Sequence, residues 1–175
     1  MREAEHAGCP SFHDVAEEVV MGLFDAPVEV RPAERALRML RLVELDYLRE
    51  VRRLLESGYD EKKLIEDLAV FQPADLERIA AACEVPTAVD GFSGVTPYEI
   101  CERYSVGMLD RERLVDELVR FPYVPRDQVD GYDDLVVNPP GTWADVERAS
   151  GNDLIDIDIY SEVFDRRHGQ DEVGV

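Results

Sequence analysis

His6, Cys9 and His13 set three soft metal ligands within eight residues. A structural zinc site needs a fourth protein ligand, and a catalytic one needs three ligands around an open position. The His-x-x-Cys-x-x-x-His order fits neither spacing, and incidental side chains near a frayed terminus explain it better. Asp153, Asp156, Asp158 and Glu162 offer hard oxygen donors for a divalent cation. They lack the loop glycine and the residue frame of an EF-hand, so helix capping and solvation account for them. Nucleophilic catalysis requires a Ser or Cys with a base in hydrogen-bond reach, yet His6, His13 and His168 all lie near the ends of the sequence. No Gly-rich phosphate loop or dinucleotide fingerprint is present. Carboxylates are so frequent that no pair marks itself as an acid–base couple. The sequence therefore predicts a protein that is not an enzyme and uses no metal or cofactor.

Charge is the stronger signal. The 175 residues hold 39 acidic and 19 basic side chains, a formal net charge of −20, and only Lys62 and Lys63 among the bases are lysines. Such a surface repels nucleic-acid phosphate and anionic lipid, and it attracts basic proteins. The balance is uneven: −5 over residues 1–31, +1 over 32–57, −7 over 58–122 and −9 over 123–175. High acidity also serves solubility, and an excess of Arg over Lys also follows from a GC-rich genome. No apolar run approaches the length of a membrane span, and no basic stretch followed by an apolar core opens the chain. Cys9, Cys83 and Cys101 are odd in number and unpaired in spacing, which argues against a disulfide framework. These features predict a cytoplasmic protein.

The elements that must carry this surface are helical. Three stretches, 46–71, 97–121 and 143–164, share one design: a helix-like run, a turn, an apolar residue followed by Asp, and a second run. Asp60, Asp110 and Asp156 align, each read as an N-cap. Leu64, Leu114 and Tyr160 follow at +4, and Leu68, Leu118 and Phe164 at +8, on one helical face. Unequal spacing between the units favours divergent hairpins in one globule over a regular solenoid. Ahead of them, Ser11 opens a helix whose Phe12, Val15, Ala16, Val19, Val20, Leu23 and Phe24 form an apolar face, which Pro27 ends. The longest helix, a spine from about residue 32 to residue 56, carries a seam of Ala36, Leu37, Leu40, Val43, Tyr47, Leu48, Val51, Leu54 and Leu55. Its arginines, Arg35, Arg38, Arg41, Arg49, Arg52 and Arg53, read as outward. Pro73 starts a short helix with Leu76, Ile79, Ala80 and Cys83 on one side, and Cys83 is expected in the core. Thr96-Pro97-x-Glu99 is a strong helix start, combining an N-cap, a first-turn proline and a capping-box Glu, and Thr142 reads as the cap of the last hairpin. Ile155 to Ile159 alternates with period two, so a strand competes with helix there.

The expected fold is all-α: a compact bundle of about seven to eight short helices packed on one long helix, built from the three divergent hairpins, with a Pro/Gly-rich loop at 121–142. The expected organisation is a flexible tail at 1–10, an N-terminal helical subdomain at 11–86, a linker at 87–96, C-terminal hairpins at 97–168 and a tail at 169–175. The expected function is an acidic protein-binding protein of the immunity or antitoxin type, occluding a basic surface on its partner. Tyr123, Tyr132 and Trp143 are the expected aromatic anchors, with Asp133, Asp134, Asp153, Asp156 and Asp158 supplying charge. Direct nucleic-acid or membrane binding is not expected. A structural or adaptor subunit, including one that self-associates through the Arg-bearing spine, is the second expectation.

Overall fold

The computed structural model describes residues 27–69, 72–125 and 138–169. Every regular element among them is helical: α1 (Arg31–Glu56), α2 (Glu61–Asp67), α3 (Pro73–Ala81) with a 3-10 turn at Ala82–Glu84, α4 (Pro97–Ser105), α5 (Arg111–Arg120), α6 (Ala144–Gly151) and α7 (Ile157–His168). The all-α expectation holds. The expected tails at 1–10 and beyond residue 169, the helix at 11–24 and most of the loop at 121–142 lie outside the described residues.

Short-range chemistry sets the helix starts. Asp60, Asp110 and Asp156 sit in extended backbone, and each carboxylate accepts from the N–H three residues on, at Lys63, Arg113 and Ile159. The turns before them share a second device. Gly58 and Gly107 take positive φ of 86° and 87°, and in the third unit Asp153 does so at 53°. At each, the following N–H reaches back to a helix carbonyl: Tyr59 to Leu54, Met108 to Arg103, Leu154 to Ala149. This is the left-handed closure that satisfies a helix's last carbonyls, and it favours glycine. A helix starting at Ile157 also resolves the Ile155 to Ile159 alternation, because Ile155 and Ile159 turn inward while Ile157 is 66% exposed.

Packing departs from the expected scheme. α4 lies on α6, α5 on α7, and the hairpins α4–α5 and α6–α7 close the set, so these four helices share a core of their own built on Ile100, Leu114, Leu118, Val146, Ile159 and Val163. A smaller core of Val51, Leu64, Ile79 and Ala82 joins α1, α2, α3 and the 3-10 turn. The hairpins thus close mainly on each other and not around the spine. Part of the expected spine seam is correspondingly uncovered by described residues, with Leu37 67%, Leu40 64% and Val43 51% exposed. Two further corrections are local. Cys83 is exposed and Ala82 is buried in its place, because the 3-10 turn advances three residues per turn and so shifts the inner face. Thr142 does not cap: Trp143 holds the N-cap position of α6, and the buried Thr142 Oγ1 finds no partner among the described residues. The residues at 87–96 are folded onto α5, where Glu117, itself buried, accepts from Ser93 N (2.8 Å) and Ser93 Oγ (2.6 Å).

The spine arginines meet the C-terminal helices. Arg35 donates to Val106 O (3.1 Å), Arg38 to Ser105 Oγ (3.3 Å), and Arg41 pairs with Glu102. Arg49 forks onto Glu99 Oε1 (2.7 Å) and Oε2 (3.0 Å), while Arg103 reaches the same carboxylate (2.9 Å) and also Asp46 (2.8 Å). Glu99 does not complete the capping box predicted for it. Thr96 Oγ1 accepts from Glu99 N, but the Glu99 carboxylate turns to Val95 N–H (3.1 Å) and the two guanidinium groups. Gly94 makes room for it: a Cβ there would lie 3.1 Å from Glu99 Cβ. Burial alone would raise the Glu99 carboxyl, but the bonds from Arg49, Val95 N–H and Arg103 outweigh it and hold the group below the usual carboxylate range.

Two outcomes test this account. Asp153→Gly should stabilise the fold by up to about 1 kcal/mol by removing left-handed strain, whereas Gly107→Ala should cost about 1 kcal/mol, both read from urea melts. Glu99→Gln should cost about 3 kcal/mol, because it strips Arg49 of its forked carboxylate and leaves Arg103 with Asp46 alone. A carboxyl depressed in the folded state contributes stability that is complete above its unfolded value and is lost as pH falls through its folded one. Stability of the native chain measured downward from pH 5 should therefore fall more steeply than that of the Gln variant.

Candidate functional site

The third unit gathers most of the described residues that the sequence singles out. Asp156 caps α7, and Asp153 holds the left-handed turn before it, so two of the expected partner-binding acids also shape the backbone. Asp158 lies in the first turn of α7. All three are exposed, and neither they nor Asp165 form an ion pair with a described residue. Glu162 is different, being paired with Arg111 (2.6 Å) and Arg166 (2.5 Å). Among the described residues no group of His, Cys, Asp or Glu side chains is arranged to hold a metal ion.

Because α7 turns Ile159 and Val163 into the core, Ile157, Asp158, Ser161, Phe164, Asp165 and His168 occupy its outward side. Ile157 is 66% and Phe164 43% exposed. Neither was among the expected anchors. The signal that would have found them is the cap at Asp156, since fixing the helix start fixes the phase of every later side chain.

The expected anchors Tyr123 and Trp143 do come together, at 5.3 Å between ring centroids, but as packing elements. Tyr123 donates its hydroxyl to Leu118 O (2.9 Å) and lies edge-on to Phe121 (5.3 Å), with the Arg167 guanidinium over its ring (4.3 Å). Burial pushes its phenol upward from the ordinary value. Trp143 donates from Nε1 to Tyr160 OH (3.4 Å) and meets the rings of Phe164 (6.1 Å) and His168 (5.4 Å). Trp143 therefore backs the outward side of α7 from below. Tyr132, Asp133 and Asp134 lie outside the described residues.

A groove of about 370 Å³ opens elsewhere, between α1, α4 and α6, floored by Leu42, Leu45 and Leu48. Glu44, Glu99, Glu102 and Asp145 border it. Each is already engaged: Glu44 with Arg78 (3.2 Å), Glu99 with Arg49 and Arg103, Glu102 with Arg41, and Asp145 with Arg148 (2.8 Å) and Gly141 N–H (2.8 Å). Converging carboxylates with internal cations are ties between helices, and a general base would need one free of them. Cys101, the buried thiol, is pushed upward by burial and by the negative charge of Asp145 and Glu102. A thiol so raised is a core side chain and not a nucleophile.

Peptide-level alkylation of the native chain checks that assignment. Cys83 should react with iodoacetamide within minutes near pH 8, and Cys101 only after denaturant is added. Rapid native labelling of Cys101 would contradict its placement.

No helix among the described residues is long and apolar enough to cross a membrane. No protein-family model, no curated protein and no solved structure matches the chain.

Proposed function

We propose that this chain is a non-catalytic protein-binding protein of the immunity or antitoxin kind, which sets the outward side of α7 against a basic surface of its partner. The observation that carries the reading is the pairing of Ile157 and Phe164, exposed seven residues apart on one helix side, with Asp153, Asp156, Asp158 and Asp165 around them. Apolar anchors supply residence time, and charges that form no ion pair with a described residue supply long-range attraction. The net charge of −20 extends that attraction over the molecule. The cytoplasm is the compartment in which such a protein would meet an intracellular partner.

The test is kinetic. A partner captured by the wild-type chain and purified should bind 1:1, and its association rate should fall at least about tenfold between 20 mM and 300 mM salt. Asp153→Asn, Asp156→Asn and Asp158→Asn together should measurably weaken that salt dependence. Asn at 156 keeps a competent N-cap, so the fold is preserved. Phe164→Ala should instead raise the dissociation rate about tenfold or more. A salt-insensitive association, or a partner held equally by all variants, counts against the proposal.

A further inference from the structure

The first half of α1 has one side that no described residue covers. Leu37, Leu40, Val43 and Tyr47 follow one another at spacings of three and four, and are 67%, 64%, 51% and 36% exposed. Val28 (70%) and Val30 (48%) continue the stripe ahead of the helix. A contiguous apolar strip of this extent is a docking surface or an aggregation hazard. The opposite side of the same helix is committed elsewhere, through Arg35, Arg38, Arg41 and Arg49 to α4 and the turn after it.

We propose that residues 11–24 form an amphipathic helix that folds back antiparallel on α1 and covers this stripe. This inference rests on α1 and the preceding sequence alone, and is independent of the role assigned to α7. Three observations favour this occupant over a second copy or another protein.

The first is complementarity of pattern. Phe12, Val15, Ala16, Val19, Val20, Leu23 and Phe24 make one helical face. Fourteen helical residues reach about 21 Å, enough to run from Val30 to beyond Val43 at about 1.5 Å per residue.

The second is the connection. A tight turn precedes α1, where Val30 N (2.8 Å) and Arg31 N (3.3 Å) both donate to Pro27 O. Only residues 25–30 separate the two segments, and short connections of this length join antiparallel helix neighbours. Tethering by six residues also gives an effective concentration in the millimolar range, which a second copy reaches only at very high protein concentration. With this turn, Val20 falls near Leu37, Ala16 near Leu40 and Phe12 near Val43.

The third is charge. Residues 11–24 carry Asp14, Glu17 and Glu18 and no Lys or Arg, and although Arg35, Arg38 and Arg41 bond toward α4, the four arginines of residues 31–43 against Glu34 alone give this part of α1 a net positive field.

Cysteine cross-linking in the full-length chain tests the pairing. In a background of Cys9→Ser and Cys83→Ser, Ala16→Cys with Leu40→Cys should oxidise to an intramolecular disulfide in most molecules at micromolar protein. Ala16→Cys with Glu50→Cys should not. A bond formed chiefly between chains would assign the stripe to a second copy and overturn the proposal, and absence of any bond would overturn it as well. Thermal melts give an independent readout. An exposed Leu40→Asp leaves Tm nearly unchanged, but if residues 11–24 cover it, Leu40→Asp and Val19→Asp should each lower Tm by about 5 °C or more and act less than additively together. An unchanged Tm in both variants speaks against the covering helix.

Discussion

One carboxylate holds the two parts of this molecule together. Glu99 sits at the first turn of α4, takes a forked guanidinium from α1 through Arg49 and shares Arg103 with Asp46. On one side lies the larger apolar core of α4 to α7, and on the other a core with Val51, Leu64, Ile79 and Ala82 at its centre. A cluster that small cannot sustain a fold by burial alone. Its alignment depends on the polar seam along α1, where Arg35, Arg38, Arg41, Arg49 and Arg52 bind carbonyls, carboxylates and the Ser105 hydroxyl of the chain beyond it. The near absence of lysine acquires a structural reason here, since only the flat, five-donor guanidinium can grip a carboxylate in two places while also reaching a carbonyl. Gly94 and Val95 N–H complete the arrangement by letting the Glu99 side chain lie close against the backbone.

What was legible in the sequence follows from range. The caps at Asp60, Asp110 and Asp156 and the start at Thr96-Pro97 are decided within four residues, and each reads correctly from local chemistry. Apolar periodicity located the helices but named no partner for their faces. It assigned the spine arginines to solvent, whereas all but Arg53 bond to the chain beyond α1, and Leu37 and Leu40 stay exposed. Cys83 and Thr142 failed for a related reason, because a 3-10 turn and a one-residue shift of a helix start move the inner face without altering composition. Asp153 in the place of a turn glycine was illegible, being a strain tolerated by the surrounding turn and not a preference of the residue.

The site follows the same division. The acids of the third unit were legible as charge, and their exposure agrees with that reading. The aromatic anchors were legible only as aromatics. Which rings pack and which face outward depends on contacts between residues far apart in the chain, such as Tyr123 against Trp143 and Arg167. The proposed binding side of α7 therefore rests on helix phase, with Ile157 and Phe164 as its apolar elements and the indole of Trp143 behind them.

That indole is the chain's sole tryptophan. It touches Tyr123, Tyr160, Phe164 and His168, so its emission reports on the packing beneath α7. The protein carries a built-in optical gauge at the place where a visitor would press, and changes in its light can be followed without attaching a dye.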